Sequence, residues 1–197
     1  VSTCYATFDN GRRIYKFGAF YVFLLYTGLR LGEALSLKWS DIDFDNRTVN
    51  VSRTIIYVKD RKKNDGSKTL VDQQSTKSGT SRVVYLSNMA IEAIEDLKHQ
   101  MGYDPNGYIM QTKNKTIIYP ADIYKIFQRI LKRASIEQCG IHALRHSFVS
   151  LMINNGVPVP MISAMVGHSN IGITMNVYSH LLKETEIKSM EIIKELK

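Results

Sequence analysis

The sequence predicts a mainly α-helical fold with a small antiparallel β-sheet. Apolar residues recur at helical spacing near the start of the chain and again after residue 87, and three short β-rich runs lie between these regions. The chain has 197 residues, of which 44% are hydrophobic, and this is enough for one domain with a sizeable core. We therefore expect residues 1–197 to form a single domain.

The first helix is predicted by apolar side chains at helical spacing between residues 17 and 25, and Gly28 is a natural helix terminator. Such a helix would deliver Arg30 just past its end. The segment 40–46 is predicted to be a turn. Its alternating aspartates resemble part of a calcium loop, but no glycine at the bend and no closing glutamate follow, so we interpret them as turn formers: Asp41, Asp43 and Asp45.

Three strand-like runs are expected to form the sheet: Thr48–Val51, Thr54–Val58 and Ser81–Leu86. Between the last two lies the polar segment 59–80, which we interpret as a basic loop or mobile hairpin that touches a phosphate backbone. A solvated loop without a partner is the alternative. The predicted DNA contacts are cationic side chains of this region: Lys59, Arg61, Lys62, Lys63, Lys68 and Arg82.

Helical patterns dominate after Ser87. Ser87 or Asn88 can cap the first of these helices, and prolines suit the first turns of two others. The predicted helices span Asn88–Gln100, Pro120–Ala134, His142–Asn154, Val159–Val166, Ile171–Tyr178 and Lys183–Glu195. The last belongs to an amphipathic tail, residues 183–197, which needs an apolar acceptor on its own domain or on a neighbouring copy.

The formal net charge of +8 favours a polyanionic partner. The sequence has no lysine-rich amphipathic helix and no apolar run of the ~18 residues that a membrane span needs, so a nucleic acid is favoured over a lipid surface. Cys4 and Cys139 stand far apart, without metal-ligand spacing. Neither a disulfide framework nor a zinc site is indicated, and we expect a cytoplasmic, DNA-associated protein.

Three short segments carry residues suited to phosphodiester chemistry. They are T-G-L-R-L-G-E at residues 27–33 with Arg30, H-A-L-R with His142 and Arg145, and G-H with Gly167 and His168, followed ten positions later by Tyr178. Guanidinium forks can clamp phosphate oxygens, imidazoles can donate hydrogen bonds or exchange a proton, and a phenol can attack phosphorus. Each segment alone is a weak signal, but together they indicate DNA cleavage and rejoining.

This set of motifs resembles the catalytic domain of the tyrosine site-specific recombinases, the integrase family of phages and mobile elements, from about Phe17 to about Leu182. The resemblance implies that catalytic-domain fold, a 3′-phosphotyrosyl intermediate on Tyr178, a free 5′-hydroxyl, and no metal, ATP or other cofactor. It also implies that Lys77 is the general acid, with Lys68 as the alternative, and that Glu33 supports the site. In that family a DNA-binding domain precedes the catalytic one, so we expect the chain to be the C-terminal part of a longer recombinase.

The expected partner is double-stranded DNA with an attachment or recombination site, bound by a homo-oligomer in a tetrameric synapse with accessory DNA-bending or directionality proteins. Two other interpretations stay open: a type IB topoisomerase, which relaxes DNA as a monomer, and a DNA-binding module without catalysis. A metal-dependent nuclease would need clustered carboxylates, and a kinase would need a glycine-rich phosphate cradle. The sequence carries neither, and it does not distinguish a phage, a transposon or a chromosomal resolvase.

Two further histidines lie near the motifs. His146 follows Arg145 directly, whereas only residues three or four apart share a helical face, so we expect His142 and not His146 beside Arg145. His180 is expected on the surface. How His142 and His168 divide the proton transfers stays open.

Overall fold

The computed structural model of the chain describes residues 1–59, 68–74, 81–168, 170, 172, 174–175 and 178–179. Its helices are α1 (Gly18–Thr27), α2 (Leu31–Ser36), α3 (Asn88–Met101), α4 (Pro120–Arg133), α5 (His142–Asn154) and α6 (Val159–Val166). Its strands are β1 (Ile42–Asp43), β2 (Thr48–Val51), β3 (Thr54–Lys59), β4 (Lys68–Gln73) and β5 (Arg82–Tyr85). The predicted fold class, mainly α-helical with a small antiparallel sheet component, is confirmed.

The strands form two antiparallel sheets instead of the single sheet that the sequence predicted. In the first, β2 lies between β1 and β5. In the second, β3 pairs with β4 as a hairpin, from Thr54 opposite Gln73 to Lys59 opposite Lys68. The prediction failed for β3 because both edges of β2 are already paired, and the partner of β3 lies inside the polar segment 59–80.

The connection from α1 to α2 fixes the backbone of Arg30. Gly28 ends α1 in the left-handed conformation, at φ +63°, where glycine is favoured. The extended backbone of Arg30 then starts α2, and the Glu33 carboxylate accepts a hydrogen bond from the Arg30 backbone N–H at 2.9 Å. The sequence did not predict α2, since six residues are too few to show a helical period.

The main hydrophobic core surrounds α1, which packs against α3 and α5. Apolar side chains cover this helix on all sides, as expected for a central helix. A second, smaller cluster joins α5, α6 and the end of the described chain; its buried members are Phe148, Val149, Ile153, Ile162, Val166 and Tyr178. Tyr178 is therefore held against α5 and α6 by apolar contacts.

The predicted helices after residue 87 are largely confirmed. The Ser87 hydroxyl accepts a hydrogen bond from the Ala90 backbone at 3.3 Å and so caps α3, while α5 and α6 have the predicted bounds. The predicted helix Ile171–Tyr178 is described only in part, and the predicted helix Lys183–Glu195 and His180 lie outside the described residues. Within the described part of the chain, no helix is both long and apolar enough to span a bilayer.

Candidate active site

The site lies where the turn after α1, helix α5 and the segment after α6 meet. Arg145 of α5 donates a hydrogen bond to the Gly28 carbonyl at 2.9 Å, and Arg30 donates one to the Gly167 carbonyl at 3.0 Å. Tyr178 packs against the same end of α5. Residues separated by more than a hundred positions are thus joined, and the predicted Arg30, His142, Arg145, His168 and Tyr178 are brought to one place.

Close approach of the backbone makes the Arg145 contact possible. A Cβ atom on Gly28 would lie 2.4 Å from the Cδ1 atom of Phe148. Any larger residue would therefore push the end of α1 away from α5. Glycine at this position serves both the left-handed turn and the approach that brings the Gly28 carbonyl to Arg145.

Glu33 is buried, with 1% of its side chain exposed, and it anchors two arginines. Its Oε1 accepts from Nη1 of Arg30 at 2.8 Å and from Nη1 of Arg82 at 3.1 Å, and its Oε2 accepts from Nη2 of Arg82 at 2.7 Å. Burial alone would raise the pKa of Glu33, but the hydrogen bonds and charge of Arg82, with the bonds from Arg30, hold that pKa below its usual value. The carboxylate is ionised at neutral pH and fixes the Arg30 guanidinium.

Arg82 was predicted to contact DNA, but in the structure its side chain binds groups of the protein itself. Besides Glu33, its guanidinium binds the Met165 carbonyl through Nε at 2.8 Å, and 11% of its side chain is exposed. With its donors directed into the protein, Arg82 joins β5 to α6 and completes the ion pair around Glu33. The sequence did not show this role, because the partners of Arg82 lie 49 and 83 positions away.

Arg145 is 3% exposed, and burial lowers its pKa to about 10, with the charge of Arg30 adding to the effect. It therefore remains charged at neutral pH. Its Nη1 atom binds Gly28, but its buried Nη2 atom has no hydrogen-bond partner among the described residues. An unpaired buried donor on a charged group is costly, so this atom would gain from an anionic acceptor.

His168 follows α6, which ends at Gly167 in the left-handed conformation, at φ +67°. Its Nδ1 atom lies 2.7 Å from the hydroxyl of buried Thr174, which fixes the ring. Burial and then the charges of Arg145 and Arg30 lower the pKa of His168 to about 4. The ring is therefore neutral near pH 7, and if the Thr174 hydroxyl donates to Nδ1, the proton on Nε2 can be donated to a ligand.

His142 and His146 both lie on the exposed side of α5, one helical turn apart. Their rings meet edge to face with centroids 4.9 Å apart. Burial and the neighbouring charges of His146 and the arginines lower the pKa of His142. Arg145 points into the protein, while the two imidazoles border the surface next to it.

Tyr178 is 5% exposed, and its hydroxyl lies 2.6 Å from Nδ1 of His146. Burial raises the pKa of Tyr178, and the charge of Arg145 partly opposes this. His146 was not predicted beside Arg145, because residues one position apart do not share a helical face. The overlooked signal is the four-residue spacing between His142 and His146, which places these two rings on one face.

The β3–β4 hairpin carries the predicted basic segment. The backbones of Lys59 and Lys68 are paired in register at the last described positions of the two strands. Lys77, Arg61, Lys62 and Lys63 lie outside the described residues. Their predicted roles as general acid and DNA contacts therefore stay predictions.

Two of the three turn aspartates, Asp41 and Asp43, have structural partners. Asp41 accepts a hydrogen bond from the Lys38 backbone at 2.7 Å and pairs with Arg53, and Asp43 accepts one from the Asn46 backbone at 2.8 Å. These contacts agree with their interpretation as turn formers.

The sequence is similar to those of known proteins. The model of the phage integrase family matches residues 7–185. A tyrosine recombinase XerC-like protein of Caldanaerobacter subterraneus subsp. tengcongensis is 29% identical over 196 residues, which cover 92% of this chain and 50% of that protein. The ICEBs1 integrase of Bacillus subtilis is 30% identical over 174 residues, which cover 84% of this chain and 45% of that protein. The chain thus spans about half the length of these curated relatives.

Solved structures share the fold. The Tn1549 transposon integrase, in complex with circular intermediate DNA, aligns with a TM-score of 0.73 at 25% identity, covering 98% of this chain and 64% of that chain. The catalytic domain of bacteriophage HP1 integrase aligns with a TM-score of 0.57 at 22% identity, covering 91% of this chain and 80% of that domain. The second likeness concerns the fold alone.

Proposed function

The chain belongs to the phage integrase family, and on this basis we propose that it cleaves and rejoins DNA strands in site-specific recombination of a mobile element, with Tyr178 as the nucleophile. The observation that carries the proposal is the convergence of two arginines, three histidines and this tyrosine near one end of α5. Relatives that carry the names integrase and recombinase, and the DNA in the Tn1549 complex, support it.

The charges of the site suit a bound phosphate. Arg30 and Arg145 lie close enough that each guanidinium acts electrostatically on His168, and Glu33 offsets only part of this positive charge. Nη2 of Arg145, which has no hydrogen-bond partner in the described part of the chain, supplies a donor that a non-bridging phosphate oxygen can satisfy. We propose that Arg30 and Arg145 clamp the scissile phosphate and stabilise the charge that grows on it during attack.

Two neutral imidazoles add hydrogen-bond donors to the proposed phosphate site. His168, held by Thr174, and His142, on the exposed side of α5, can each donate a hydrogen bond to the same phosphate. Tyr178 then attacks phosphorus, and the phosphotyrosyl bond conserves the energy of the broken bond until a DNA hydroxyl reverses the step. In this proposal Lys77 protonates the leaving 5′-oxygen.

Exchange between two duplexes breaks four strands. If each copy of the chain supplies one Tyr178, four copies are required, and we propose a tetrameric assembly on DNA. Accessory DNA-bending or directionality proteins belong to the same proposal.

Trapping of the covalent intermediate tests the proposal. Duplexes tiled across the DNA that flanks the coding gene would carry a nick beside each candidate cleavage position, so that the released fragment diffuses away. We expect a protein–DNA adduct on a denaturing gel with the wild-type chain and none with Tyr178→Phe, which removes only the phenolic oxygen and should bind DNA equally. An adduct formed by Tyr178→Phe would reject Tyr178 as the nucleophile.

The same assay separates the alternative functions. A binding module would shift the DNA without an adduct, and a topoisomerase would relax a supercoiled plasmid without exchanging strands between two duplexes. Because the arginines neutralise the phosphate, we expect the adduct to form in EDTA, and we expect Arg30→Lys to fail since an ammonium cannot reproduce the guanidinium fork. A strict requirement for magnesium in the chemical step would contradict this view.

A further inference from the structure

Among the described residues, the polar contacts of the Tyr178 phenol come from His146. Its hydroxyl lies 2.6 Å from Nδ1 of His146, and the His146 backbone carbonyl is 3.4 Å from the same oxygen. The motifs that identify the family place His142, Arg145 and His168 in the site but leave His146 without a role. The contact is short, and it involves the atom that would attack phosphorus.

The other two imidazoles are differently engaged. Nδ1 of His168 is bonded to Thr174. The His142 ring packs edge to face on His146, with centroids 4.9 Å apart. Among the described residues, His146 is therefore the imidazole that hydrogen-bonds the phenolic oxygen of Tyr178.

The two sides of this contact have different access to solvent. Tyr178 is 5% exposed and packs against the apolar side chains of α5 and α6, which restrict the approach of water to the phenol. His146 is exposed. With its own proton on Nε2, the neutral ring can accept the phenolic proton at Nδ1. The ring can hold that proton until the phenolate leaves phosphorus.

We propose that His146 is the proton acceptor for Tyr178 during strand cleavage, an inference that rests on the proposed function above. As the bond from the Tyr178 oxygen to phosphorus forms, the phenolic proton moves to Nδ1 of His146. The bond from phosphorus to the 5′-oxygen breaks, and that oxygen takes a proton from the general acid, proposed above to be Lys77. In rejoining, the 5′-hydroxyl returns its proton to the deprotonated general acid as its oxygen attacks phosphorus. The bond from phosphorus to the Tyr178 oxygen breaks, and His146 returns its proton to the departing phenolate.

Cleavage rates of His146 variants test this role. In single-turnover cleavage of the nicked duplex we expect His146→Ala to be slower by about 10²–10⁴-fold, the usual contribution of a general base, with unchanged DNA affinity. His146→Asn keeps a hydrogen-bonding side chain but offers no base, so we expect a similar loss. The matched control is His99→Ala, the same change at an exposed histidine of α3, and it should cleave at the wild-type rate.

Chemical rescue separates proton transfer from positioning. Added imidazole should restore part of the rate of His146→Ala, and a fluorinated tyrosine at position 178, whose phenol is more acidic, should reduce the effect of the His146 change. Neither should rescue His142→Ala if His142 binds the phosphate. These readouts would not respond to a general loss of packing.

The outcomes are distinct. Three results would each overturn the inference. They are cleavage at the wild-type rate by His146→Ala, full recovery of the rate by His146→Asn, and a slow His146→Ala whose rate neither imidazole nor the fluorinated tyrosine improves. If the wild-type chain forms no Tyr178-dependent adduct, the proposed function fails and this inference fails with it. If the adduct forms normally, each result on His146 concerns His146 alone.

Discussion

Replacing Glu33 by glutamine should destabilise the fold although the shape of the side chain hardly changes. Each carboxylate oxygen accepts two hydrogen bonds: Oε1 from Nη1 of Arg30 and Nη1 of Arg82, and Oε2 from the Arg30 backbone and Nη2 of Arg82. An amide in either orientation directs its NH₂ group at two donors. Half of the hydrogen bonds are lost, and two guanidinium groups keep their charges without a counter-charge.

The magnitude follows from the burial of this ion pair. Only 1% of the Glu33 side chain is exposed, so solvent cannot replace the lost charge. Removing one partner of a buried pair costs about 3–5 kcal/mol. For a chain of this size, each kcal/mol lowers the melting temperature by about 2–4 °C, and the expected decrease is therefore about 6–20 °C.

Thermal unfolding followed by circular dichroism measures this effect, with Asp96→Asn as the matched control. Asp96 pairs with Arg13 at 3.3 Å, but the two side chains are 23% and 33% exposed, so its loss should cost about 1 kcal/mol or less. A melting temperature of Glu33→Gln equal to that of Asp96→Asn would refute the reasoning.

The effect of Glu33 should also depend on pH. Since folding lowers the pKa of Glu33, its contribution to stability is fully present above the ordinary value of 4.5 and is lost as the pH falls through the folded-state pKa. The difference between the wild-type chain and Glu33→Gln should therefore be constant from pH 7 to about pH 5 and shrink at lower pH. A difference that disappears already at pH 6 would contradict this assignment.

Three further predictions concern the site. In urea titrations, Gly28→Ala should lower the free energy of unfolding by about 2–5 kcal/mol, because φ is +63° and the new Cβ would lie 2.4 Å from Phe148. Gly156→Ala is the control: φ is +74°, but the new Cβ would lie in open space, so the loss should be only about 1–2 kcal/mol. Because its pKa is about 4, His168 should stay neutral down to about pH 5 in NMR titrations of the free protein, and a midpoint near 6.5 would contradict its environment. Lys77→Ala should slow cleavage of an ordinary phosphodiester but not of a 5′-thiolate substrate, since sulfur leaves without a proton; equal defects on both substrates would reject Lys77 as the general acid.

Local patterns in the sequence determined much of the fold. Five helices, α1, α3, α4, α5 and α6, were predicted with nearly correct ends. Their signals were the helical period, the Gly28 terminator, the Ser87 cap and the prolines, and each of these acts within a few residues of the backbone that it controls. Strand pairing was less predictable, since β3 finds its partner across a long polar segment that the sequence suggested only as a possible hairpin.

The sequence by itself supplied the candidate reactive residues, because the chemistry of an arginine, a histidine or a tyrosine belongs to its side chain and can be read from residue type and spacing. Only the tertiary structure decided which groups each of them touches. Arg82 turned from a presumed DNA contact into the second partner of Glu33, and His146 turned from a neighbour of Arg145 into the partner of Tyr178. Both contacts join elements far apart in the chain, and their geometry depends on how α5 and α6 pack, which no local pattern of residues specifies.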